Sequence, residues 1–401
     1  MLNLPTYDGT LAPFASTVEP LVPRAPTRPW TRVAFAAAHV VSDPLAERTP
    51  WLGRPAVDWE STLNFRRGLW DQGLGLAEAM DTAQRGMGVD WDTARELIAR
   101  TMAEAKAHPL KPRVACGAGT DHKTLAELPD LGSIIAAYEH QMEAIEAEGG
   151  QLILMATRAL PAIGATPDDY RRVYDRLISQ AKDPVILHWL GDMFDPALAG
   201  YWGSANVDAA MQTALDIIQA HASKVDGIKI SLLDKDKEIS MRRRLPNHGG
   251  LDGKGVRMYT GDDFNYAELI AEDGYGDHQR HGQSDALLGI FDAIAPAASA
   301  ALSALAQGQH EKFHAILGPT VPLSRHIFQA PTRFYKTGVV FMAWLNGHQN
   351  HFSMIGGQQS TRSLQHFAEL FRLADAANLL EQPELAVQRM HNFCSLYGVE
   401  N

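Results

Sequence analysis

The chain has 401 residues, a formal net charge of -11 and an apolar fraction of 45%. That length holds one large domain or two small ones, with a sizeable core. The acidic balance argues against nucleic acid or an anionic membrane surface as partner, though not against a local basic pocket for a small acid.

The two cysteines, Cys116 and Cys394, make neither a zinc pattern nor a disulfide framework, which points to a reduced compartment. The N-terminus lacks a basic segment followed by an apolar run, and no stretch reaches the ~18 apolar residues of a membrane span. These readings predict a cytoplasmic protein with no membrane partner.

Residues 1–30 carry six of the 22 prolines: Pro5, Pro13, Pro20, Pro23, Pro26 and Pro29. Such a stretch is neither regular helix nor central strand. It reads as an extended arm, draped over the body or a neighbouring subunit, or as a partly disordered tail. From Thr31 short apolar runs alternate with longer amphipathic ones. The short runs are TRVAFAAAHV (31–40), LGLAEAM (74–80), RVACGAG (113–119), GQLILMA (150–156), DPVILHW (183–189), VDGIKIS (225–231), GVRMYTGDD (255–263) and DALLGIF (285–291).

Between them lie helix signals. DWDTARELIARTMAEAKAH has the stripe Ala94, Leu97, Ile98, Met102 and Ala105. TPDDYRRVYDRLISQA opens on a capping Thr166 followed by Pro167 and two acids. NVDAAMQTALDIIQAHA is a third. Eight strands, each followed by a helix, predict an α/β protein with a closed (β/α)8 TIM barrel. An open doubly wound sheet is the alternative, but HVVSDPLAERTP after the first strand lacks the glycines of a phosphate loop. After Gln307 every segment reads as helix. The expected organisation is an arm (1–30), a barrel (31–306) and a helical C-terminal region (307–401).

In such a barrel, function sits at the C-terminal ends of the strands. That rule selects His39, Asp81, Thr82, Gln84, Gly117 to Asp121, Thr157, Arg158, His188, Lys229, Ser231, Asp262 and Asp263. Lys229 stands out, a cation between Ile228 and Ile230. Desolvation lowers a lysine pKa by up to ~3–5 units, and the neutral amine can attack a carbonyl. The plainer reading is a snorkelling lysine, or one paired with Asp262 or Asp263. His188 is either a strand-end polar residue or a proton-transfer group beside Lys229. Asp262 and Asp263 cap the next helix or bind a metal. Tyr201 and Trp202 suit a sugar-like or aromatic substrate, or pack under their loop.

Together, DGIKIS, PVILHW, RMYTGDD, LLGIFDAIAP, PTRFYKTGVVFMAWLNG and LGLAEAMDTAQ resemble, in order, motifs of the dihydrodipicolinate synthase/N-acetylneuraminate lyase family. The likeness covers roughly residues 31–380. This family comprises class I aldolases of 2-keto acids on a (β/α)8 barrel. The resemblance implies a Schiff-base lysine at Lys229, with His188 where the family has a proton-relaying tyrosine. It places Asp81 and Thr82 at the family's carboxylate-binding threonine pair, with Gln84 in place of a glutamate. It also aligns Gly117 and Gly119 with the third-strand glycines, and Gly289 with the opening glycine of the eighth-strand motif. With Ser231 and Asp262 these form the expected substrate-binding set. The arginine that reads a second carboxylate in the synthases is here Met193, so true dihydrodipicolinate synthesis is not expected.

The resulting expectation is a Schiff-base lyase or aldolase for a 2-keto acid or keto sugar acid. It needs no cofactor and no metal, and works as a homodimer or larger homo-oligomer. One alternative is a metal-dependent lyase, isomerase or hydrolase using His39, His188, Asp192, Asp262 and Asp263. Another is a non-catalytic keto-acid-binding protein. His278 and His281 read as a surface loop. HEKFH (310–314) reads as a chance match to a zinc motif.

Overall fold

The computed structural model describes residues 2–16, 18–47, 55–272 and 279–399. Two short strands, β1 (Leu2–Pro5) and β2 (Leu11–Phe14), form an antiparallel hairpin. Eight more make the barrel: β3 (Ala34–Ala37), β4 (Gly75–Glu78), β5 (Val114–Ala118), β6 (Gln151–Leu154), β7 (Val185–Leu190), β8 (Val225–Ser231), β9 (Arg257–Thr260) and β10 (Asp285–Leu288). They close in the order β10-β3-β4-β5-β6-β7-β8-β9, all parallel. Each falls on one of the eight apolar runs, β7 extending one residue past its run to Leu190.

The strands lack an apolar/polar alternation because both faces are covered. Phe35, Ala37, Ala77, Ala115, Ile153, Ile186, Tyr259 and Leu287 fill the barrel interior. The opposite faces, including Ile228 and Ile230, join the larger core shared with the helices. The helix signals are matched by capped helices. Asp90 accepts from Thr93 N at 2.9 Å to start Trp91–Ala107, whose stripe is buried throughout. Thr166 and Asp169 form a capping box at Pro167–Gln180, and Asn206 caps Val207–Ala220.

Beyond the barrel run the helices His310–Leu317, Thr320–Ile327, Tyr335–Leu345, Leu364–Ala376 and Pro383–Leu396. Rings from four segments, Phe341, Phe352, Phe367 and Phe393, pack together there. On HEKFH, His310, Glu311 and His314 are exposed while Phe313 faces the core. The arm differs from an extended strap over its first 14 residues. A two-stranded ribbon has only edge strands, so Pro5 and Pro13 are tolerated there. Its Leu2 and Leu4 are buried against this chain's own C-terminal helices. His278 lies outside the described residues; His281 Nε2 contacts the Leu245 carbonyl at 3.1 Å. Among the described residues, no helix is long and apolar enough to cross a membrane.

Candidate active site

Strand alternation turns Lys229 into the barrel, because Ile228 and Ile230 face the helices. Gly261, just past β9, makes room for it: a Cβ there would stand 2.7 Å from Lys229 Cε. On the paired strand β7, His188 lies directly opposite Lys229. Lys229 is 8% exposed. Burial lowers its pKa below the ordinary lysine value, and the Asp263 and Asp81 charges oppose that fall. No carboxylate among the described residues reaches it as a direct ion pair.

His188 is buried too, and neither ring nitrogen has a hydrogen-bond partner. Burial, then the Lys229 charge, hold its pKa well below the usual histidine range, so the ring is neutral at pH 7. Asp263 follows β9. Its Oδ1 accepts from Ile290 N at 3.0 Å, and burial pushes its carboxyl up to about 7 against the pull of Lys229.

The β4 loop carries Asp81 and Thr82, and the helix Tyr335–Leu345 grips both. Tyr335 Oη lies 2.8 Å from Thr82 Oγ1, and Lys336 Nζ donates to Asp81 Oδ2 at 2.7 Å. Gly289 sits beneath this clasp: a Cβ there would be 3.2 Å from the Tyr335 ring and 3.4 Å from Thr82 Oγ1. Above lies a cavity of about 350 Å³ lined by Asp81, Gly119, Thr157, Arg158, His188 and Leu198. A second, of about 290 Å³, shares Asp81 and Arg158 and reaches Phe194, Arg333 and Phe334. Arg158 Nε pairs with Asp195 at 2.5 Å where both line the two cavities.

Of the expected residues, His188, Asp81 and Gly119 line the cavity, Lys229 pairs with His188 across the strands, and Thr82 and Gly289 lie at Tyr335; Gly119 donates its N–H to Gln141 Oε1 at 2.7 Å. Others serve packing. Gln84 is fully buried, its Oε1 accepting from Ile355 N at 3.0 Å and its Nε2 directed at the Val40 carbonyl. Its amide is held by backbone groups. Gly117 faces the barrel core, where a Cβ would stand 2.8 Å from Met155 Sδ. Asp262 caps the following turn, accepting from Phe264 N at 2.8 Å, Asn265 N at 3.0 Å and Asn265 Nδ2 at 2.8 Å. Ser231 is buried at the end of β8, its carbonyl accepting from Gly191 N at 3.0 Å.

Tyr201 and Trp202 are buried, with Tyr201 Oη 2.8 Å from Tyr174 Oη, so they pack beneath the loop. His39 Nδ1 lies 2.8 Å from Asp292 Oδ2 and its Nε2 3.2 Å from Gln349 Oε1, so both ring nitrogens have partners. Among the described residues, no three His, Cys, Asp or Glu side chains come together as a metal-ligating group. The residues missed from the sequence are Tyr335 and Lys336. Both lie in the quoted stretch PTRFYKTGVVFMAWLNG, a tyrosine and a lysine opening an otherwise largely apolar helix.

One family profile matches residues 2–399. The chain belongs to the family described as protein of unknown function (DUF993). No curated protein matches it. Among solved structures it is similar to a putative dihydrodipicolinate synthetase from Pseudomonas aeruginosa, with 15% identity, a TM-score of 0.62, and 86% of this chain and 99% of that chain covered. It is also similar to Proteus mirabilis N-acetylneuraminate lyase (12% identity, TM-score 0.58, 88% and 100% covered). A third is a variant of Sulfolobus solfataricus 2-keto-3-deoxygluconate aldolase (11% identity, TM-score 0.54, 89% and 98% covered). The likeness is one of fold: this DUF993 chain shares the closed barrel architecture of those three structures.

Proposed function

We propose that the chain is a Schiff-base-forming lyase or aldolase acting on a 2-keto acid or keto sugar acid. Lys229 is the nucleophile. The observation that carries this reading is the pairing of a buried lysine, lacking a direct counter-ion, with a neutral histidine across one strand pair. A surface lysine is an ammonium ion at pH 7. A desolvated one keeps a useful fraction of free amine.

The amine adds to the carbonyl carbon, the carbinolamine loses water, and the resulting iminium takes up the electron pair of an adjacent breaking bond. Thr82 stands where the substrate carboxylate is held. His188, neutral and unpartnered, offers a hydrogen bond to the substrate oxygen. Met193 is 38% exposed near the cavity, where an arginine would be needed to read a second carboxylate as the synthases do. This supports a substrate other than that of dihydrodipicolinate synthesis.

The metal-dependent alternative loses support because its donors do not converge. The expectation of a homo-oligomer drew on the family resemblance as well as on the arm, and the hairpin of that arm packs against its own chain. The test is borohydride reduction in the presence of pyruvate. A covalent adduct on Lys229, absent from Lys229→Ala, is the expected result. Failure to trap any 2-keto acid or keto sugar acid would sink the reading.

A further inference from the structure

Schiff-base chemistry needs a group that takes up and returns a proton, and the strand ends around Lys229 offer four candidates. His188 has no acceptor to fix a tautomer and no counter-ion to hold a charged ring. Asp262 is occupied by its three capping bonds. Asp81 is bound to the Lys336 ammonium at 2.7 Å.

Asp263 differs on each count. It is 3% exposed and follows β9, the strand paired with β8 on the side away from His188. Ile290 N anchors its Oδ1 at 3.0 Å, and Ser324 Oγ donates to its main-chain carbonyl at 2.5 Å. Its Oδ2 makes no hydrogen bond among the described residues. One oxygen is thus held rigidly while the other is available.

We propose that Asp263 is the proton-transfer residue for the reaction at Lys229. This rests on the Schiff-base reading of the site. Asp263 takes the proton from the carbon next to the iminium. The C–H electron pair becomes the C=C bond of an enamine, the C=N pair moves onto the Lys229 nitrogen, and the return of the proton reverses both. The groups that face it are the Lys229 ammonium from β8, the neighbouring Asp262 carboxylate, and the hydroxyls of Tyr266 and Tyr335. Burial disfavours the carboxylate and Lys229 favours it, which leaves a carboxyl that both gives and takes a proton near neutral pH.

The experiment uses pyruvate as probe and reads two quantities from the whole protein. Borohydride trapping reports the imine, and NMR in D2O reports exchange of the pyruvate methyl hydrogens through the enamine. Asp263→Asn keeps the shape and the Ile290 contact. It should trap at Lys229 at least as fast as the parent at pH 7, because the lysine loses a negative neighbour. Its exchange should fall by at least about 100-fold, and the limb of the pH profile set by this carboxyl should vanish. Asp263→Glu should restore part of the exchange. Wild-type exchange in Asp263→Asn overturns the assignment and leaves the Schiff-base reading intact. So does parallel loss of trapping and exchange, which marks a structural residue. No adduct in the parent protein overturns both.

Discussion

Two buried lysines separate cleanly by their partners. Lys336 and Lys229 both lie in the interior, and burial lowers the pKa of both. Lys336 has a carboxylate at 2.7 Å and the Arg333 carbonyl at 3.0 Å, so its ammonium form is satisfied. Lys229 has neither. Reactivity should therefore be confined to Lys229. The trapping rate should rise with pH as the amine is freed and level off below the ordinary lysine value near 10.5. Stopped-time trapping across pH 6 to 10 checks this; a rate still climbing at pH 10 contradicts it. Glu238 makes a stability prediction of the same kind. It is buried, one carboxyl oxygen bonded to Ser284 Oγ at 2.7 Å and the other unpartnered, and burial pushes it up to about 8. The native state thus binds this proton more tightly than the unfolded chain does. Its contribution is fully present below about pH 4.5 and is lost as pH rises toward 8. Glu238→Gln should remove that loss. The variant should gain on the order of 1–3 kcal/mol over the parent at pH 8.5 and little at pH 5. Urea unfolding at both pH values measures it, and an equal gain at both would refute the assignment.

At the scale of elements, the double clasp joins the C-terminal region to the barrel mouth. Adjacent residues of one helix, Tyr335 and Lys336, hold adjacent residues of one loop, Thr82 and Asp81. Lys336→Met removes the cation and leaves Asp81 partly buried and unpaired. Because Asp81 keeps about a third of its side-chain exposure, the cost should be about 2 kcal/mol, below the value for a fully buried pair. Hydrogen exchange should quicken in residues 79–84 and 335–340 together. Quickening of one segment alone would mean that the clasp does not couple them. This element also marks the limit of what the sequence discloses. The barrel strands were legible because each is a local apolar run between polar helix starts. Lys229 was legible because a cation between Ile228 and Ile230 breaks such a run. The clasp spans 253 and 255 residues, and no local pattern records a contact at that separation. Gln84 carries contacts that its motif does not record, for a related reason. A motif fixes a position along the chain, while what the side chain meets depends on donors such as Ile355 N, 271 residues from Gln84.

Across the whole molecule, a path of contacts leads from the N-terminal hairpin to the candidate site. Leu2 and Leu4 are buried, Phe14 packs edge-on to Phe371 at 5.0 Å, and Arg372 Nη2 donates to the Leu4 and Pro5 carbonyls at 3.1 and 2.8 Å. Ser16 Oγ donates to Asp375 at 2.5 Å. The hairpin thereby fixes the helix Leu364–Ala376, which packs on Thr320–Ile327. That second helix supplies Ser324, the donor to the Asp263 carbonyl, and Thr320, whose Oγ1 lies 2.6 Å from Tyr266 Oη. Removing residues 1–16 exposes the apolar faces that Leu2, Leu4 and Phe14 cover and frees Arg372. Two leucines and a partly buried phenylalanine correspond to about 4 kcal/mol. A truncated chain should therefore unfold at markedly lower temperature. At a temperature where it remains folded, it should trap pyruvate on Lys229 nearly as well as the full chain, because Lys229 is held by barrel strands. Methyl exchange should be slower by several-fold, because the helix behind Asp263 has lost its outer support. A truncated protein with full exchange and lowered stability would confine the hairpin to a structural role. Loss of trapping as well would show that the barrel itself depends on the arm.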